Sequence, residues 1–202
     1  MKGASEKLSS DEVWIEEIDN AALNEFEKNQ SAFKDGFVRI MPYGAVFPRC
    51  FTSYEKPIRD FEVRKDDIFV ASFPKCGTTW TQEMVWNICN ALDFEKAKSV
   101  PQEKRIPFLE HSGLMNAGMP EELKTDTLEF VTNMPRSEPR LLKTHLCYDM
   151  LPKQVRDKKP KVIYVTRNPR DAVVSLYNHW KALSGFIGIL SGNREVVVHS
   201  IN

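Results

Sequence analysis

The run FVASFPKCGTTWTQEMVW, Phe69 to Trp86, decides the fold. It overlaps DDIFVASFP, Asp66 to Pro74, a short apolar segment closed by proline that predicts a buried β-strand. Past the turn, TTWTQEMVWNICNAL spaces Trp80, Met84, Ile88 and Leu92 four residues apart, which predicts a helix with one apolar face. Strand, tight turn and helix is a P-loop-like layout, yet the GxxxxGK[ST] signature is absent and Lys75 precedes the glycine. Gly77 lets the backbone approach an anion closely, and the N–H groups of Thr78, Thr79 and Trp80 open the helix toward it. The hydroxyls of Thr78 and Thr79 add donors and Lys75 adds a full positive charge. On this loop alone, a phosphate cradle and an ordinary strand-to-helix turn are both open readings.

Outward from this unit, PRLLKTHL (Pro139 to Leu146) predicts a second strand. KVIYVTRNP (Lys161 to Pro169) predicts a third, rich in β-branched and aromatic residues. Asn168 suits a helix N-cap, Pro169 the first helical position, and Asp171 the positive end of the dipole. The helix so opened shows Val173, Tyr177, Trp180 and Ser184 along one stripe, flanked by Val174 and Leu176. On the N-terminal side, the acidic run Asp11 to Lys28 reads as helical, anchored by Val13, Ile18 and Phe26. Phe37 to Tyr54, with Pro42, Gly44 and Pro48 among aromatics, reads as loop or short strands. Asp93 to Glu138 reads as loop-rich, with RIPFLEH as a pocket-lining segment. This element order predicts an α/β fold with a central parallel sheet and covering helices, a three-layer domain.

Length and composition narrow the function. With 202 residues, 42% of them hydrophobic, the chain suits one well-buried domain. Lys and Arg number 28, as do Asp and Glu, so no global field draws in nucleic acid or an anionic membrane, and any anion site is local. No apolar run approaches the roughly 20 residues of a membrane span and the start lacks a secretory signal, so a soluble, cytoplasmic protein is expected. Cys50, Cys76, Cys89 and Cys147 lack CxxC spacing, which argues for reduced thiols rather than a zinc site or disulfide framework.

Two more motifs carry chemistry. In TRNPRDAVVS, Arg167 at a strand end and Ser175 on the following helix form a second anion site if the helix N-terminus faces it, with Arg170 a competitor for the role. The alternative is a solvated arginine and a helix-surface serine. In LLKTHL, Lys143 and His145 are two apart on a strand and leave on one face, a base beside a charge stabiliser or else a satisfied histidine. His111, His179 and His199 are weaker candidates.

FPKCGTTWTQ, then LLKTHL, then YVTRNPRDAVVSLYNHW, in that order, resembles the cytosolic sulfotransferase family. KRIPFLEH is also similar to that family's acceptor-pocket segment, which implies a substrate-lining role for Phe108. The family uses 3'-phosphoadenosine 5'-phosphosulfate (PAPS), without a metal, and transfers its sulfuryl group to a hydroxyl or amine of a small molecule. By this resemblance Lys75, Cys76, Gly77, Thr78 and Thr79 belong to the loop that holds the 5'-phosphosulfate, with Lys75 beside the leaving oxygen, and Trp80 stacks on adenine. Arg167 and Ser175 match the residues that bind the 3'-phosphate, His145 the general base that also meets the acceptor, and Lys143 a lysine near the transferring group.

The chain departs from the family at Cys76, where many members have serine, and at Cys147, where proline is common. The resemblance runs from about 37 to 188, and residues 189–202 form an atypical tail. The late RKGxxGDWK segment and the dimerisation segment have no counterpart. The expectation is therefore a single incomplete sulfotransferase domain over 1–202, monomeric or of open oligomeric state, with a small-molecule acceptor and no nucleic-acid or membrane partner. Two alternatives stand beside it. One is a non-catalytic product retaining weak nucleotide binding; the other is a kinase-like P-loop phosphotransferase, against which the missing GK[ST] counts.

Overall fold

The computed structural model describes residues 6–7, 13–19, 35–116, 122 and 124–190, with side chains placed as far as residue 182 in the last helix. The chain divides into two compact units, Met1–Lys56 with Ser112–Thr125 and Tyr177–Asn202, and Pro57–His111 with Asp126–Leu176. In the first, β1 (Glu6–Lys7), β2 (Trp14–Glu17), β3 (Phe37–Met41) and β4 (Ala45–Pro48) form an antiparallel sheet in sequence order. Val38 and Ile40 are fully buried on alternate positions of β3, and Ile15 pairs with Ile40. Gly44, at φ 70°, closes the β3–β4 turn with its N–H on the Ile40 carbonyl at 3.0 Å.

This sheet corrects the helical reading of Asp11 to Lys28 where the chain is described: Trp14–Glu17 is a strand. Val13 and Ile15 are buried with Trp14 half-buried between them and Glu16 exposed, an alternation that ends at the exposed Glu17, and Glu16 and Glu17 make ion pairs with Arg39 and Arg49. Pairing with β3 outweighs the local preference. Residues 20–34, and the tail from 191, lie outside the described residues.

The second unit holds the parallel sheet. β5 (Ile68–Ser72) lies between β6 (Leu141–Thr144) and β7 (Lys161–Val165), both parallel to it. All five residues of β5 are buried, which is why it reads as an unbroken apolar run. Just before the strands, Arg140 and Asp67 form a buried bidentate pair at 2.7 and 2.8 Å, and the Ile68 N–H donates to the Arg140 carbonyl at 2.8 Å. This clamp sets the register of β5 against β6. Asp67 also accepts from the Arg64 N–H at 2.7 Å, so the buried carboxylate is well supplied with donors.

The helices are α1 (Thr52–Arg59), α2 (Thr78–Cys89), α3 (Phe94–Ser99), α4 (Gln102–Arg105), α5 (His111–Met115), α6 (Thr127–Thr132), α7 (Gln154–Lys158) and α8 (Pro169–Leu190). Four of them break up the stretch read as loop. Two are opened by aspartates: Asp93 accepts from the Lys96 N–H and Asp126 from the Glu129 N–H. At α8 the Asn168 side chain accepts from the Arg170 N–H at 3.0 Å, the cap expected there.

Helix α2 forms as expected. Its apolar stripe points out, with Trp80 81% and Ile88 73% exposed, while Val85 and Trp86 pack on Ile68, Val70, Ile106 and Leu141. Trp86 is held by the Arg105 guanidinium 4.6 Å from its ring, and Arg105 is paired to Glu83 at 2.8 Å. The Thr78 hydroxyl, hydrogen-bonded to Ser72, fixes the rotation of the first turn. Val173, Val174 and Tyr177 of α8 are likewise exposed, and Ala172 is its buried residue near the start. No helix among the described residues is long and apolar enough to cross a membrane.

Candidate active site

The carboxyl ends of β5, β6 and β7 lead to Ser72, His145 and Arg167, the edge of a parallel sheet where successive strands diverge and ligands bind. From β5 the chain turns through Lys75 at φ 65° and Gly77 at φ 101° into α2. Gly77 is the N-cap residue and offers no side chain, so the opening N–H groups of the helix lack a side-chain cap. A Cβ placed on Gly77 would meet nothing within 4 Å, which leaves open space where the helix dipole ends. Arg167 braces this turn from β7, its guanidinium donating to the Lys75 carbonyl at 3.1 Å.

His145 follows β6 directly. Its Nδ1 lies 2.8 Å from the Ser72 carbonyl and 3.3 Å from the Ser72 hydroxyl. A carbonyl only accepts, so Nδ1 carries the proton and Nε2 keeps its lone pair. Phe108 stands edge-on to the imidazole with ring centroids 5.1 Å apart, and Lys143 Nζ lies 4.1 Å from the centre of the Phe108 ring. Burial, reinforced by the Lys143 charge, holds the His145 pKa down at about 4, against the opposing effect of the Ser72 carbonyl. The ring is therefore neutral at physiological pH. Burial also lowers the pKa of Lys143; Glu110 opposes that shift and the charge of Lys75 adds to it. The two lysines thus repel one another across this site, an arrangement that an anion relieves.

The structure brings Lys75, Lys143, His145, Phe108, Gly77, Thr78 and Arg167 to this one edge. Thr78 is buried and its hydroxyl is committed to Ser72, while Thr79 is exposed and its carbonyl accepts from the Gln102 amide at 3.0 Å. Trp80 presents its ring to solvent. Cys76 is buried, unlike the exposed Cys89 and Cys147. Ser175 is half-buried within α8, and no hydrogen bond joins it to Arg167 among the described residues.

Two residues of the site escape a reading by motif. Ser72 ends β5 and binds both Thr78 and His145. Glu110, fully enclosed, accepts from the His145 N–H and from the Thr144 hydroxyl at 2.9 Å. A serine at a strand terminus gives no signal in sequence. Glu110 lies in RIPFLEH beside His111, where a single carboxylate makes no recognisable motif.

Comparison with known proteins agrees with this fold. The sulfotransferase domain family model matches residues 65–197. Luciferin sulfotransferase of Photinus pyralis is 44% identical over 144 residues, covering 67% of this chain and 39% of that protein. Sulfotransferase 1A1 of Bos taurus is 41% identical over 127 residues, 62% of this chain and 39% of its own length. Among solved structures, retinol dehydratase in complex with retinol and PAP superposes with a TM-score of 0.70 at 28% identity, covering 83% of this chain and 55% of that one. The chain thus spans about 39% of the length of these curated relatives. With its parallel sheet, its glycine turn into α2 and a family match over most of its length, the chain belongs to the sulfotransferase family.

Proposed function

We propose that the chain carries a PAPS-dependent sulfotransferase site in which His145 is the general base for a hydroxyl or amine of a small-molecule acceptor. The observation that carries this reading is the bond from His145 Nδ1–H to the Ser72 carbonyl, which leaves a neutral imidazole with its Nε2 lone pair beside Lys143. That PAP occupies a structural neighbour, and that PAP is what PAPS becomes on losing its sulfuryl group, supports the choice of co-substrate. The residues fit such a nucleotide: an uncapped helix N-terminus and Gly77 suit a 5'-phosphosulfate, Lys75 stands in the turn, and the exposed Trp80 ring is available for a base to stack on.

PAPS, when bound, supplies an activated sulfuryl group for in-line transfer. The chain's own contribution is positioning and charge. Ser72 orients His145, whose Nε2 takes the acceptor proton as the new bond forms. Lys75 and Lys143 offset negative charge gathering on the leaving and transferring oxygens. Phe108 forms an apolar wall that keeps water from the imidazole. Arg167 and Ser175 are assigned to the 3'-phosphate, and Cys76, Thr78 and Thr79 to the loop around the 5' group. Four free thiols among the described residues suit a reducing cytoplasm.

The test has two arms. Saturating 3'-phosphoadenosine 5'-phosphate, at about a hundred times its dissociation constant, raises stability by roughly 2.7 kcal/mol and lifts the melting temperature by several degrees. His145→Ala lowers transfer from labelled PAPS to a phenol by roughly 10²–10⁴ while leaving the nucleotide-induced shift intact. A shift without transfer in the unaltered chain favours the non-catalytic nucleotide-binding reading, and full transfer by the variant removes His145 as base.

A further inference from the structure

We propose that Glu110 is a positioning residue for His145: its enclosed carboxylate takes the His145 N–H on one oxygen and the Thr144 hydroxyl on the other, and so holds the imidazole on the Ser72 carbonyl. The inference rests on the reading of His145 as the base.

The strand pattern shows what the carboxylate replaces. The segment 107–109 runs parallel to β6: the Lys143 N–H donates to the Pro107 carbonyl and the Leu109 N–H to the Lys143 carbonyl, each at 2.9 Å. The next rung of a parallel ladder would join the His145 N–H to the Leu109 carbonyl. Instead the chain turns, with the His111 N–H on the Phe108 carbonyl at 3.0 Å, and the Glu110 side chain meets the His145 N–H. The turn lets Phe108 face the imidazole, and the carboxylate supplies the acceptor that the departing backbone no longer provides. Oε2 secures the rest of the corner, because Thr144 Oγ1 donates to it and accepts from the Leu146 N–H at 3.1 Å.

One side chain therefore ties the segment bearing Phe108 to the one bearing His145. The charged group acting on Glu110 is Lys143 on β6, which favours its ionised form, as do the hydrogen bonds from the His145 N–H and the Thr144 hydroxyl. Enclosure works the other way and raises the Glu110 pKa to about 7, so the hold on the His145 N–H titrates near neutrality.

The experiment compares the full chain with Glu110→Ala, Glu110→Gln and His145→Ala. Long-range nitrogen–proton NMR reports the tautomer of the His145 ring, identified by its loss in His145→Ala. We expect the Nδ1–H form in the parent chain and in Glu110→Gln, whose amide oxygen still accepts, and averaged tautomers in Glu110→Ala. The His145 amide proton should titrate near pH 7 in the parent and lose that step in Glu110→Gln. In the assay with labelled PAPS, Glu110→Ala loses about 10²-fold in kcat with the KM for PAPS unchanged, and Glu110→Gln recovers to within about ten-fold. A folded Glu110→Ala with the parent tautomer and kcat overturns the proposal. Should that variant fail to fold, an amide proton whose titration is the same in the parent and Glu110→Gln does so. Full turnover by His145→Ala would instead remove the base, while the NMR still reports whether Glu110 holds the ring.

Discussion

At the scale of single residues, His145 and Glu110 form a pair whose protonation pulls stability in opposite directions. The folded His145 pKa of about 4 lies below the ordinary 6.5, so the unfolded chain binds the extra proton, and stability from this group is lost as pH falls from 6.5 toward 4. The folded Glu110 pKa of about 7 lies above the ordinary 4.5, so its contribution is present at low pH and is lost as pH rises from 4.5 through 7. Where those ranges overlap, from 4.5 to 6.5, the two slopes oppose each other. Glu110→Gln removes one of them, and we expect its stability to gain on the parent as pH rises from 4.5 to 7, by an amount on the order of 3 kcal/mol. Urea midpoints across that range measure the difference, and a constant offset would show that the carboxyl is not perturbed by its enclosure. Lys75 offers a second residue-scale case. It holds φ 65°, where a side chain costs on the order of 1 kcal/mol. Lys75→Gly should therefore raise the melting temperature slightly while weakening nucleotide binding, the behaviour of a strained residue kept for its charge. A variant that loses both stability and nucleotide would mean that the lysine side chain supports the turn itself.

At the scale of elements, the register of the parallel sheet depends on the Asp67–Arg140 clamp that precedes β5 and β6. Both groups are almost wholly enclosed, so removing one partner leaves the other charge buried without its counter-ion. Arg140→Ala should cost about 3–5 kcal/mol in a denaturant melt, and the double variant with Asp67→Ala less than the sum of the two single losses. Additive losses would show two independent anchors. What could be read from sequence follows the same physics. β5, β6, β7, the turn at Gly77 and the Asn168 cap were legible because a buried parallel strand is a continuous apolar run and caps are local chemistry. The rotation of α2 was not, because the Trp80, Met84, Ile88 and Leu92 stripe has helical period but the Thr78–Ser72 bond and the Trp86 pocket turn it outward. The strand at Trp14–Glu17 was hidden by its acidic neighbours, since the pairing with β3 that selects it lies more than twenty residues on. Ser72 and Glu110 were hidden because their meaning comes from a ladder ending in space, which no spacing along the chain records.

At the scale of the whole molecule, burial in the parallel sheet is uneven. β5 is enclosed at every position, whereas four of the five residues of β7 are exposed, and Val162 and Tyr164 leave on one face of it. Among the described residues β7 pairs only with β5, so its outer edge presents backbone donors and acceptors beside apolar side chains. The exposed stripe of α2 and the exposed Val173, Val174 and Tyr177 of α8 add further apolar surface. Lys and Arg balance Asp and Glu at 28 each, so no net charge keeps copies apart. We expect the purified chain to bind a hydrophobic dye in its native state and to self-associate with rising concentration, as read by light scattering after size exclusion. Val162→Lys with Tyr164→Lys should suppress that association through like charges on the edge. Because both side chains are already in contact with solvent, the double change should move stability by no more than about 0.5 kcal/mol per site. A chain that stays monomeric and dye-free at high concentration would mean that other parts of the protein cover these faces, and a variant that melts much lower would mean that β7 is packed rather than exposed.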